Sequence, residues 1–299
     1  MIVVRTVADL RAALRDRRTG TIGFVPTMGA LHEGHVSLLR AARGGNDTLV
    51  LSIFVNPTQF DEQSDLAAYP RTEAADLAVA EGAGVDVVFA PDAAEMYPRG
   101  FSTVVSVSGP VAETLEGAQR GRAHFDGVAT VVCKLLLSVL PDSAYFGAKD
   151  AQQVAVVRRL VADLSIPVRV VVCPTSRDDD GLARSSRNAR LAPDERARAI
   201  AIPRALSAVT DAAAAGVTDT AALRAEARAV LAGAGVEPEY VALVDPVSFE
   251  PVVVREGPVL VAIAARVGRT RLIDNVVLEP VRQPAHSGRP ADSAHEGGA

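Results

Sequence analysis

Leu49-Val-Leu-Ser-Ile-Phe-Val55 is a seven-residue run with a single polar member. It does not alternate apolar with polar, so a strand built from it needs apolar cover on both faces. Thr21 to Pro26, Val85 to Ala90, Ala144 to Gly147 and Val168 to Cys173 have the same character. Between these runs lie stretches with helical spacing: Val7 to Arg15, His35 to Arg43, Thr72 to Ala83, Phe125 to Leu140 and Asp150 to Leu164. Strands buried on both faces and alternating with helices predict a doubly wound, Rossmann-like parallel sheet.

The pattern changes after about residue 175. A polar stretch from Ser176 to Asn188 is followed by two Ala-rich helical stretches, Pro193 to Ala215 and Asp219 to Ala234. Strand-like runs come next at Glu239 to Val244, Val259 to Ala265 and Arg271 to Val277. The expected organisation is a Rossmann-like α/β domain over 1–175 and a smaller α+β domain over 176–282. A disordered tail is expected over 283–299.

Composition narrows the function. A 299-residue chain with net charge −5 is a poor candidate for general nucleic-acid or anionic-membrane binding. No run approaches 18 apolar residues, so no membrane span is expected. Met1-Ile-Val-Val-Arg5 lacks the pattern of a signal peptide. Cys133 and Cys173 sit in apolar runs as expected core residues, which suits a reducing cytoplasm. Lys134 and Lys149 are the only lysines among 31 basic residues, so each merits attention.

Val25-Pro-Thr-Met28-Gly-Ala-Leu-His32-Glu-Gly-His35 joins the first buried strand to a helix. Ligands of open parallel sheets bind at the carboxyl ends of strands, and a helix N-terminus there offers free N–H groups to phosphate. Two imidazoles at that point can donate to phosphate oxygens and stabilise charge as pyrophosphate leaves. The plainer alternative is that both histidines merely cap the helix. Lys149 lies between a strand end and a helix, where a flexible ammonium reaches phosphates. Asp150 can cap that helix or accept from ribose hydroxyls. Asp178-Asp-Asp180 reads as a solvated loop rather than a metal cluster.

His-x-Gly-His resembles the signature of the nucleotidyltransferase superfamily, and the fuller Pro26-to-His35 string is similar to the pantothenate synthetase family. The resemblance recurs in order. It includes Asn56-Pro-Thr-Gln59-Phe60, Asp65-Leu-Ala-Ala-Tyr69, and Tyr145-Phe-Gly147-Ala-Lys149-Asp150-Ala-Gln152-Gln153. It continues through Asp180-Gly-Leu-Ala-Arg-Ser185-Ser186-Arg187-Asn188 and Arg271-Leu-Ile-Asp-Asn275. It implies an AMP-forming ligase that condenses pantoate with β-alanine through pantoyl adenylate, with ATP as substrate, Mg²⁺ carried on ATP, and a homodimer.

Carried onto these positions, the resemblance assigns His32, His35, Lys149, Ser185, Ser186 and Arg187 to the phosphates. Met28 would contribute its backbone N–H, and Gly147 and Asp150 would hold ribose. Gln59 and Gln153 would orient pantoate, with Asn56 and Tyr69 shaping its pocket. Neutral amides suit an acid whose carboxylate must stay nucleophilic. There are departures from the family pattern. Arg120-Gly-Arg122-Ala-His124 is one residue longer and lacks a proline, so either arginine can take the family's place. Arg184 stands where an apolar residue is usual, and Ala75 and Ala148 replace acidic residues. Two other readings remain: a different nucleotidyltransferase, such as a pantetheine-phosphate adenylyltransferase, or a non-catalytic nucleotide-binding module.

Overall fold

The structure, a computed structural model, describes residues 1–60 and 63–280. The expected tail over 283–299 lies outside the described residues. Six parallel strands form one sheet: β1 (Ile2–Val4), β2 (Ile22–Thr27), β3 (Thr48–Ile53), β4 (Val87–Phe89), β5 (Ser143–Gly147) and β6 (Arg169–Cys173). Their order across the sheet is β1-β4-β3-β2-β5-β6. The chain winds outward from β2 through β3 to β4, then returns to β2's other side with β5 and β6. β2 and β5 therefore flank the switch point.

The apolar runs are continuous because alternate residues feed two separate cores. Phe24, Val50, Val87, Phe89, Ala144 and Phe146 pack with the helices Val7–Leu14, Arg122–Val139 and Ala151–Asp163. Val25, Leu49, Leu51, Val88 and Tyr145 pack on the opposite face with the helix Glu33–Gly44, through Leu38, Leu39 and Ala42, and with Ala80 of the helix Glu73–Gly82. Fully burying one such side chain contributes about 1.5–3 kcal/mol, so a polar residue on either face would be costly. Cys133 and Cys173 are buried, and burial pushes both thiols up from their ordinary pKa.

A second sheet is antiparallel: β7 (Pro238–Val244), β8 (Val259–Val267) and β9 (Thr270–Leu278). Val259, Val261 and Ile263 face helices of the same unit, while Leu260 and Ala262 join the core beneath the parallel sheet. The stretch expected as one helix from Pro193 to Ala215 is two, Pro193–Ala199 and Ala201–Ala214. Pro203 explains the break. Its ring would clash with the carbonyl of Ala199 in a continuous helix, but it is tolerated in the first turn of a new one. β1 and the short helices Ala93–Met96, Pro110–Glu113 and Glu116–Arg120 are elements that the sequence pattern does not predict.

One close approach fixes a loop at the sheet's carboxyl edge. A Cβ on Gly127 would lie 2.4 Å from the Thr58 carbonyl oxygen and 2.8 Å from the Gln59 nitrogen. Both are backbone atoms of the short 3₁₀ turn Pro57–Gln59, which cannot step aside cheaply. Gly127→Ala should therefore cost about 1–3 kcal/mol. At roughly 2–4 °C per kcal/mol for a domain of this size, that is a fall of several degrees in Tm. A variant melting at the wild-type temperature would show that helix and turn are packed less closely.

Candidate active site

Every residue singled out in the sequence for a role lines one cleft at the carboxyl ends of β2 and β5: Met28, His32, His35, Asn56, Gln59, Tyr69, Gly147, Lys149, Asp150, Gln153, Ser185, Ser186 and Arg187. The loop after β2 turns sharply, with positive φ at Gly29 (81°) and Ala30 (51°). Asp76, only 2% exposed, holds that loop. Its carboxylate accepts from Ala30 N–H at 2.9 Å and Leu31 N–H at 2.7 Å. A Cβ on Gly29 would meet that carboxylate at 2.9 Å, which adds to the conformational reason for glycine. The sequence carried no signal for this role of Asp76, which depends on a helix 45 residues away reaching back.

The two histidines each commit one ring nitrogen to the backbone and leave the other toward the cleft. His32 is the N-cap of the helix Glu33–Gly44, and its Nδ1 accepts from Gly34 N–H at 3.1 Å. His35 Nδ1 accepts from His32 N–H at 3.2 Å. A neutral imidazole that accepts at Nδ1 carries its proton on Nε2. Both Nε2–H groups lack a partner among the described residues, so each ring keeps a donor for the cleft. Capping and ligand binding are thus compatible. The glycine of His-x-Gly-His has a steric reason as well: a Cβ on Gly34 would lie 2.8 Å from His32 Cε1.

Both rings are held neutral. Burial, then the neighbouring His32, lowers the His35 pKa to about 3. Burial, then Lys149 and Arg184, lowers that of His32. The ring centroids are 4.1 Å apart, and two imidazolium charges at that distance would repel.

Lys149 lies in the 3₁₀ turn Ala148–Asp150 after β5, and its ammonium has no partner among the described residues. Asn275 Nδ2 of β9 donates to the carbonyls of Ala148 (3.0 Å) and Lys149 (2.8 Å), which pins the turn. Asp150 occupies the N-cap position of the next helix, yet its side chain makes no capping bond. Its carboxylate is therefore open to a ligand. A Cβ at Gly147 would meet no protein atom, so its bareness serves the cleft.

The glutamines differ in how they are held. Gln59 Oε1 accepts from Asn56 Nδ2 at 2.9 Å, and Gln59 Nε2 points to Met28 Sδ at 3.3 Å. His124 Nδ1 lies 2.8 Å from the Gln59 carbonyl, which can only accept, so the nitrogen donates. Asn56 is 1% exposed. Its second amide hydrogen goes to the Gly127 carbonyl, and its Oδ1 accepts from Thr58 and Tyr97. It shapes the site through Gln59 rather than by free polar atoms of its own. The Gln153 amide has no partner among the described residues. Tyr69 packs edge-on against Phe60, and burial raises its pKa, so the hydroxyl stays protonated.

Ser185 accepts from the Arg187 N–H at 3.3 Å and opens the turn Ser186–Arg190. Burial, then Arg120, pushes the Arg187 guanidinium below its ordinary pKa. Asp178 and Asp180 are more than parts of a solvated loop. Asp178 pairs with Arg184 (3.2 Å) and Arg196 (2.9 Å), and Asp180 pairs with Arg196 (2.8 Å). Arg184 thus reaches the cleft already tied to a carboxylate. Among the described residues no group of three or more His, Cys, Asp or Glu is placed to hold a metal ion, and no helix is long and apolar enough to cross a membrane.

The structure separates the two candidate arginines. Arg122 lies outside, 60% exposed and facing Asp126 at 3.9 Å. Arg120 lines a second cavity that adjoins the cleft, and its Nε donates to Glu116 at 3.2 Å.

Residues 2–277 match the family model described as pantoate-beta-alanine ligase. The chain is 54% identical to the pantothenate synthetase of Rhizorhabdus wittichii over 94% of its own length and 99% of that protein's. It is 52% identical to that of Roseiflexus sp. over 93% and 100%. Among solved structures, pantothenate synthetase from Thermus thermophilus superposes with a TM-score of 0.89 at 46% identity, over 94% of this chain and all of that one. Pantoate-beta-alanine ligase from Francisella tularensis, complexed with beta-gamma ATP and β-alanine, gives 0.75 at 33% identity over 93% and 97%.

The depressed His35 pKa sets a pH dependence of stability. The unfolded chain takes up a proton at His35 near the ordinary value of 6.5, whereas the folded chain resists until about 3. Stability is therefore lost as pH falls below about 6.5. Tm measured from pH 7.5 to 5 should fall more steeply for the wild type than for His35→Gln. Parallel curves would mean that the ring protonates in the folded protein.

Proposed function

The chain belongs to the pantoate–β-alanine ligase family, and from that premise we infer that it joins pantoate to β-alanine in an ATP-dependent, amide-forming reaction. Carboxylate is a poor acyl donor at neutral pH, so the acid must first be activated. A pantoate carboxylate oxygen attacks the α-phosphorus of ATP. The bond to the bridging oxygen breaks, and pyrophosphate leaves with that electron pair. The β-alanine amine then attacks the acyl carbon of pantoyl adenylate, loses a proton, and expels AMP. The family match leaves neither another nucleotidyltransferase nor a non-catalytic module with support.

What carries this reading at the site is a pair of neutral Nε2–H donors sharing a cleft with Lys149 and two amides. Negative charge builds on the departing pyrophosphate, and preorganised donors stabilise it without reorganising. His32, His35, Lys149, Ser185, Ser186 and Arg187 take the phosphates, with Met28 adding its backbone N–H. Mg²⁺ enters on ATP. Asp150 accepts from the ribose hydroxyls beside Gly147. Gln59 and Gln153 hold pantoate in a pocket shaped by Asn56 and Tyr69, and they place no fixed positive charge on the attacking carboxylate. No residue needs to act as a covalent nucleophile, so positioning and electrostatics account for catalysis.

We further propose that residues 1–175 form the nucleotide-binding body and 176–282 a unit that closes over it, and that the protein works as a homodimer in the cytoplasm. The direct assay is pyrophosphate release from pantoate and ATP, with and without β-alanine.

Lys149→Ala should keep the fold and slow adenylation by on the order of a hundredfold, the loss of about 3 kcal/mol from one charge-assisted contact in the transition state. Wild-type single-turnover formation of pantoyl adenylate would reduce Lys149 to a surface lysine. Gln153→Ala should lower kcat/KM for pantoate far more than for ATP, because the acid's polar groups then go unpaired. Equal losses for both substrates would place Gln153 outside the acid pocket.

A further inference from the structure

The cleft continues past Gln59 and Gln153 into a second cavity, bounded partly by Glu116, Arg120, Tyr240 and Arg271. Two of its charged side chains are already spent. Arg271 donates to both Glu116 oxygens at 2.7 Å and to Glu239 at 2.6 Å. Glu116 accepts from the Tyr240 hydroxyl as well, at 2.7 Å. Burial alone would raise the Glu116 carboxyl, but the bonds from Arg271, with Tyr240 and Arg120 adding, hold it down at about 2.

Arg120 is different. Only its Nε is engaged, with Glu116, and its side chain is 30% exposed. Both terminal nitrogens lack a partner among the described residues. The open end of the guanidinium is therefore held in place by a carboxylate that is itself fixed by two other groups. Arg187 lines the same cavity, and its side chain has no hydrogen-bonded or ion-paired partner among the described residues. Two guanidinium groups on one cavity call for an anion. Arg187 also lines the cleft that holds the imidazoles, whereas Arg120 does not.

Resting on the ligase reading, we propose that Arg120 binds the carboxylate of β-alanine, and so directs the amine to the acyl adenylate held at Gln59 and Gln153. The reaction has three anionic partners. The phosphates lie with the imidazoles and Lys149, and the pantoate carboxylate must stay nucleophilic. The β-alanine carboxylate is neither attacked nor released, so a strong, permanent cation costs the chemistry nothing. A planar guanidinium with two free nitrogens matches a carboxylate in two-point geometry.

The test separates the half-reactions. Arg120→Met is assayed for pyrophosphate release with pantoate and ATP alone. It is then assayed for amide formation with β-alanine or with propylamine, which has the amine but no carboxylate. The expected result is a β-alanine KM raised ~10–100-fold, far beyond any change in adenylation. The wild-type preference for β-alanine over propylamine should collapse, and Arg120→Lys should restore part of it. If Arg120→Met melts early, Arg120→Gln carries the same expectation. An unchanged β-alanine KM, an equal loss in adenylation, or an intact preference over propylamine would overturn the assignment. A wild-type protein that releases no pyrophosphate from pantoate and ATP would instead overturn the ligase reading beneath it.

Discussion

In an open parallel sheet, a strand's loops diverge where the winding reverses, and here that happens between β2 and β5. Neither neighbouring crossover can cover the carboxyl ends of both strands, so a crevice is left. Everything chemical hangs on that gap. The His-x-Gly-His loop leaves one strand and the Gly147–Asp150 turn leaves the other, and the two face a common space.

Within the gap, hydrogen bonding decides what the imidazoles are. Each gives Nδ1 to a backbone N–H at the helix start, which sets the tautomer and leaves Nε2–H outward. Burial and neighbouring positive charge keep both rings neutral. A neutral donor still stabilises a phosphate oxygen, and it spares the site two close positive charges before ATP arrives.

β9 holds the site's second half. Arg271 locks Glu116, Asp274 takes a two-point bond from Arg177 at 2.6 and 3.0 Å, and Asn275 pins the Lys149 turn. One strand of the small sheet thus registers the Lys149 turn, the loop ahead of Ser185 and the wall carrying Arg120. Asp274 is only 3% exposed, so leaving its charge unpaired would be costly.

The sheet was legible because its cause is local. Strands covered on both sides must be apolar throughout, and Leu49 to Val55 says so without help. The His-x-Gly-His loop was legible because glycines and histidines are constrained at short range, as Gly34 is by the ring of His32. The helix break at Ile200 also has a local cause in the sequence, Pro203. Tertiary structure alone decided the rest, because each question turned on what a side chain meets from far along the chain. It separated Arg120 from Arg122, two positions apart, by lining the second cavity with the one and leaving the other 60% exposed. It spent Asn56 on Gln59, Gly127 and Tyr97. It left the Asp150 carboxylate without a capping bond, and it tied Asp178 and Asp180 to Arg184 and Arg196. Residue type and spacing set which groups are present and which backbone they ride on. Only the packed fold settles which of their polar atoms remain free, since that depends on partners that sequence distance does not rank.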